Sequence, residues 1–140
     1  MIDRPIVNAI QNKLFACTAL TAIVGTNIAY AQGPIVGTWP QVHFFKVSSI
    51  DGYKVDFNYY TAQFSTWALD KWDAITINDI VYAEFNRFIG KVSASPTVGD
   101  VDITWSEMID SGALPEADTT LHGQYVRFKF RYRGANLGGL

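Results

Sequence analysis

Ile2, Ile6, Val7, Ile10 and Leu14 recur at the spacing of one helical face. With Asp3 as a cap and Pro5 in the first turn, they predict a first helix over residues 4–15. Thr18 is placed to cap a short second helical stretch that runs to Val24 and stops at Gly25. Residues 27–32 predict a short strand, Gly33-Pro34 and Gly37-Thr38 punctuate a loop, and residues 40–47 read as a strand buried on both faces. Asp51-Gly52 is a hairpin signal. The return strand over residues 53–67 puts Tyr53, Val55, Phe57 and Tyr59 on one face and Lys54, Asp56 and Asn58 on the other.

The period then changes. Ile77, Ile80, Val81, Glu84, Phe85, Phe88 and Ile89 predict a longer helix between Asp73 and Gly90, with Asn78 as a candidate cap. Residues 93–100 read as an exposed loop. Val101, Ile103 and Trp105 alternate with Asp102, Thr104 and Ser106 to open a second hairpin, whose long acidic connection covers residues 110–120. Its return strand alternates from Tyr125 to Arg133: Val126, Phe128, Phe130 and Tyr132 face a core, while Arg127, Lys129, Arg131 and Arg133 form a ladder on the other side. Residues 134–140, with three glycines, read as a C-terminal tail. The predicted fold is α+β: a mostly antiparallel sheet built from two hairpins, with an N-terminal helix and a longer second helix packed on one face, in a single domain over residues 1–140.

Charge is distributed unevenly. Four of the eleven cationic residues sit on the ladder, and between Asp100 and Asp118 the chain carries Asp100, Asp102, Glu107, Asp110, Glu116 and Asp118 with no Lys or Arg. Acid can therefore meet base within a hairpin or across a subunit boundary. Outward charge also keeps antiparallel sheets soluble and their edges unpaired. A net charge of −2 argues against a dedicated nucleic-acid binder. Four Trp, seven Tyr and nine Phe supply anchors for a core or an interface, with Trp39, Trp67 and Trp105 as candidates for the latter.

Recognisable catalytic patterns are missing. His43 and His122 have no carboxylate or Cys at metal-ligand spacing, and read as a packed strand residue and a turn residue. Cys17 is alone and reads as a small buried hydrophobe. No nucleophile elbow, phosphate loop or dinucleotide fingerprint is present, so the expectation is a non-enzyme without cofactor or metal. A different class enters at the N-terminus, where Lys13, the apolar run from Leu14 to Val24 and Ala29-Tyr30-Ala31 have the look of a secretory signal. Gly25-Thr26-Asn27 and the helical pattern of the first residues weigh against it. No stretch reaches the roughly 20 apolar residues of a membrane span.

Several local patterns resemble the tail terminator and tail-to-head joining proteins of long-tailed bacteriophages. They are the N-terminal helix with its Ala22-Ile23-Val24-Gly25 stop, the short Asn27-Ile28-Ala29-Tyr30 strand, the Pro-led strand Pro40-Gln41-Val42-His43-Phe44-Phe45, the helix before Gly90, and the closing run from Thr119 to Phe130. Trp72, Ile75, Phe85 and Phe88 depart from that family's Ala-rich second helix. The resemblance implies a virion protein assembled in the host cytoplasm. It implies a homo-oligomeric ring, usually of six copies, that caps the tail tube and meets a head-side connector or stopper protein.

Such a ring needs unlike, complementary patches on one subunit. The candidate interface set is Arg127, Lys129, Arg131 and Arg133 with Asp100, Asp102, Trp105, Asp110, Glu116 and Asp118. Each phosphate contact on duplex DNA adds about −0.9 to the salt slope, so a ring lined by this ladder would hold DNA rather than pass it. The ladder is therefore expected to face protein, with at most transient DNA passage. Two other classes stand beside this one: a small-molecule-binding α+β domain with a concave apolar pocket, and a secreted or envelope-associated protein.

Overall fold

The structure is a computed structural model and describes residues 4–31, 39–50, 57–95, 99–118 and 120–133. Three helices, α1 (Arg4–Ala16), α2 (Thr18–Val24) and α3 (Lys71–Phe85), accompany six strands. These are β1 (Ile28–Tyr30), β2 (Gln41–Ile50), β3 (Asn58–Ala68), β4 (Gly90–Ser95), β5 (Gly99–Asp118) and β6 (Leu121–Arg133). They form one sheet in the order β1-β2-β3-β6-β5-β4, antiparallel except for the β1–β2 pair. The two expected hairpins are β2–β3 and β5–β6, joined through β3 and β6. The predicted α+β architecture is the observed one.

Alternation along the central strands decides which way the sheet faces. Tyr60, Ala62 and Phe64 on β3 and Val126, Phe128 and Phe130 on β6 are fully buried, and with Val42, Phe44, Val101 and Ile103 they make the inner face. On β6 the expected inward set, Val126, Phe128, Phe130 and Tyr132, is the buried one. Helix α3 lies on β3, β6 and β5 and contributes Ile77, Val81 and Phe85. Phe85 stacks on Phe64 at 4.8 Å and meets Phe130 edge-on at 5.6 Å.

Helix α1 lies against β4, β5 and β1. Because β1 and β4 are opposite ends of the strand order, the sheet must curl around its inner face for one helix to reach both. Strand twist and the register shifts in β2, β4 and β5 supply that curvature. Asn12 Nδ2 donates to the β4 carbonyls of Ser93 and Ala94 at 2.8 and 3.2 Å, so a side chain serves part of that strand's outer edge. Lys13 Nζ donates to Glu84 Oε1 at 2.9 Å, tying α1 to α3, and stands 3.7 Å from the Phe88 ring centroid.

Helices α1 and α2 meet at an 80° bend, and no single helix among the described residues is long and apolar enough to cross a membrane. The signal-like apolar run contributes Leu14, Leu20 and Val24 to the core. Cys17 is half-buried beside it rather than enclosed, and burial raises its thiol pKa, with Glu84 adding to the effect.

Several expectations need correction. Thr18 does not cap α2: Cys17 occupies that position without a side-chain cap bond. Helix α3 begins at Lys71 rather than near Asn78, because Asp70 Oδ1 accepts from the backbone N–H of Trp72 at 2.7 Å and lies 3.4 Å from that of Asp73. It also ends earlier, at Phe85, where Arg87 takes a positive φ of 56°. Phe88 and Ile89 thus fall outside the helix.

Residues 93–100 are largely strand, the end of β4 and the start of β5, with 96–98 outside the described residues. The supposed acidic connection from residue 110 is itself strand as far as Asp118, and His122 and Gly123 lie in β6 rather than in a turn. Strand β2 is buried on both faces only from Gln41 to Phe44; from Lys46 it is mostly exposed. The Gly33-Pro34 and Gly37-Thr38 loop, the Asp51-Gly52 turn with Tyr53, Lys54, Val55 and Asp56, and the 134–140 tail all lie outside the described residues.

Candidate interaction surface

The outer face of the sheet carries the predicted ladder. Strand β5 runs directly beside β6, so acid and base face one another within the same chain: Asp102 opposite Arg133, Glu107 opposite Lys129, Asp110 opposite Arg127. Arg127 is the best tied. Its Nη1 donates to Asp110 Oδ2 at 3.0 Å and its Nε to Gln63 Oε1 at 2.9 Å, while Gln63 Nε2 donates to Ser65 Oγ at 3.1 Å. The result is a polar row across β3, β6 and β5. With both partners of the ion pair about 40% exposed (38% and 41%), solvent screening keeps its net contribution to about 0–1 kcal/mol.

The other three cations lie over aromatic rings. Lys129 Nζ is 5.0 Å from the Tyr59 centroid, and the guanidinium carbons of Arg131 and Arg133 are each 4.8 Å from that of Phe57. Arg131 Nε also donates to Thr104 Oγ1 at 2.9 Å, and that hydroxyl donates to Arg131 O at 3.2 Å. Phe57 and Tyr59 do share a face, as alternation demanded, and it is the cationic one. A half-exposed ladder whose charges rest on carboxylate, amide or ring retains open edges for further polar contacts.

Trp105 does not continue the Val101/Ile103 face. A register shift between Ile103 and Trp105 sets the indole opposite Arg131 and turns Ser106 inward instead. Ser106 Oγ then lies 2.7 Å from Phe85 O and 2.9 Å from Phe88 O, where its proton can serve either carbonyl, at or just beyond the C-terminal end of α3. Asp100 is exposed opposite Ser93, and Glu116 and Asp118 follow in the same strand.

Trp67 is buried by its own chain. A Cβ built on Gly123 would stand 2.7 Å from the Trp67 ring, so the ring packs closely against that backbone and only glycine leaves it room. Trp39 is half-buried, whereas Trp72, 72% exposed at the start of α3 beside exposed Leu69, is the tryptophan most open to a partner. The sequence marks Trp72 as a departure from the family's Ala-rich helix, just before the helix predicted from Asp73, but not as an interface candidate. The available signal was its position next to the Asp70 cap, on the first turn, where an inward direction is not imposed by neighbours.

His43 is buried on the outer side of β2 with its Nε2 2.8 Å from Gln41 Oε1. Burial lowers its pKa, so the neutral ring is the favoured form. The packed-strand reading of His43 holds. Among the described residues no group of three or more His, Cys, Asp or Glu is placed to hold a metal ion.

No protein-family model and no curated protein sequence matches the chain. Its fold is shared with a chain from the virion of a native gene transfer agent particle. The two superpose with a TM-score of 0.63 at 16% identity, over 89% of this chain and 92% of the other. At that identity the likeness is one of fold, and it extends over nearly the whole of both chains.

Proposed function

We propose that the protein is a phage-like structural virion protein that forms a ring at the head-proximal end of a tail, terminating the tail tube and joining it to the head connector. The observation that carries this reading is the near full-length fold shared with a chain of the gene transfer agent virion. The arrangement of the outer face agrees with it. A curled sheet filled on the inside by helices leaves one polar, aromatic-lined surface for recognition, and the side-chain chemistry is that of contact rather than of bond making.

In this reading the protein acts as a homo-oligomer of about six copies, with tail tube protein on one side and a connector or stopper protein on the other. The interface residues are Arg127, Lys129, Arg131 and Arg133 together with Asp100, Asp102, Trp105, Asp110, Glu116 and Asp118. The ladder faces a neighbouring subunit or an adjoining ring. Its cations already hold partners in their own chain, Asp110 and Gln63 for Arg127 and aromatic rings for the rest. This lowers their net call on phosphate and suits a channel that lets DNA pass. The mass of the purified particle tests the proposal: a multi-copy assembly of the 15.6 kDa chain, annular by electron microscopy, is the expected result. A single-chain mass at every concentration overturns it.

A further inference from the structure

Both margins of the sheet are open over part of their length. Strand β1 lies beside β2 only from Val42 to Phe44, and β4 accompanies β5 only as far as Ile103. Among the described residues no strand covers β2 from Phe45 to Ile50 or β5 beyond Ile103. Registers traced across the sheet connect the two openings. The rows Phe45–Gln63–Arg127–Asp110, Lys46–Ala62–Phe128–Met108 and Ser48–Thr61–Lys129–Glu107 each run from one open margin to the other.

Each margin is bulged at this level, between Lys46 and Ser48 on β2 and between Met108 and Asp110 on β5. In both cases the extra residue is a branched apolar one pushed outward: Val47 is 47% exposed and Ile109 53%. Ile50, 60% exposed, extends the first patch. Exposed Lys46 flanks Val47 and exposed Glu107 flanks the Ile109 bulge, so the two margins match in apolar character and oppose in charge.

We propose that these margins are the two halves of a head-to-tail contact between copies of this chain, the Val47/Ile50 margin of one copy receiving the Ile109 margin of the next. The inference rests on the ring reading above and names the surface through which the ring closes. Bulges break the ladder and discourage open-ended strand pairing, so the contact is made by side chains. Unlike, mutually complementary patches on one molecule are what a heterologous interface requires. A second copy brings the matching patch with the matching charge.

The test compares wild type with Val47→Asp and Ile109→Asp, each checked for an unchanged melting temperature, by sedimentation or native mass spectrometry. Wild type is expected as a multi-copy particle and each variant as a single copy, with association weakened by about thirtyfold or more. An equimolar mixture of the two variants is expected to recover pairs and no rings, since one intact contact survives per pair. Val47→Ser and Ile109→Ser ask the same question should an aspartate variant fail to fold. Variants that assemble like wild type, or that dissociate without pairing on mixing, overturn this contact while leaving the ring reading in place. A single-copy wild type overturns the ring reading itself.

Discussion

Strand β6 shows two environments one residue apart. Phe128 and Phe130 point into the helices and are fully buried, whereas Lys129 and Arg131 between and beyond them point outward and remain half-exposed. The inner side is held by removal of apolar surface from water, worth roughly 1.5–3 kcal/mol for each fully buried large side chain. The outer side is held by contacts that compete with water, each worth a fraction of that. Stability therefore belongs mainly to one face, and the other is left adjustable.

The largest expected effect is at the inner face. Phe128→Ala removes a ring that meets Phe64, Phe85 and Phe130 and is expected to cost about 3–5 kcal/mol in denaturant unfolding. A cost below that of the outer-face variants would erase the distinction. Next is the exception on the outer side, Gly123, where an added Cβ meets the Trp67 ring at 2.7 Å and Leu114 Cβ at 2.9 Å. Gly123→Ala is expected to cost about 1–3 kcal/mol through overpacking, and wild-type unfolding would show that Trp67 yields freely.

A double-mutant cycle on Lys129 and Tyr59, using Lys129→Ala and Tyr59→Leu, is expected to return a coupling of about 0.5–1 kcal/mol, the scale of an exposed cation–ring contact. The corresponding cycle on Arg127 and Asp110 is expected to give about 0.2–1 kcal/mol, falling as salt rises. Coupling of several kcal/mol in either cycle would place structural energy on the face proposed for recognition.

The alternation in β6 was plain in the sequence because both of its sides are strongly marked, apolar on one and cationic on the other. The N-terminal helix was equally plain from its apolar spacing and Pro5. Strand β4 was hidden: Lys91, Val92, Ser93 and Ala94 form too short and mild an alternation to declare a strand, and its pairing with β5 supplies the reason it forms. The second half of β5 was hidden for a related cause. Ser111, Gly112 and Ala113 have the composition of a loop and become strand through pairing with β6. Trp105 was misplaced because the bulge before it reverses the facing of the residues that follow, up to the next register shift.

The candidate surface was legible as two charge groups but not as pairs. Which acid meets which base depends on the register shifts in β5, and these leave no signature in composition. The same holds for Val47 and Ile109, ordinary residues in the sequence that bulges push into solvent.

Period and composition alone determined the α+β class, the inward set of β6 and the lack of a recognisable catalytic motif, because these depend on neighbours along the chain. Tertiary structure decided the six-strand order, the curl that brings both margins to α1, the pairing of Asp110 with Arg127 and the outward turn of Val47 and Ile109. Those depend on register, which is fixed by contacts between residues far apart in sequence and shifts by one position at every bulge.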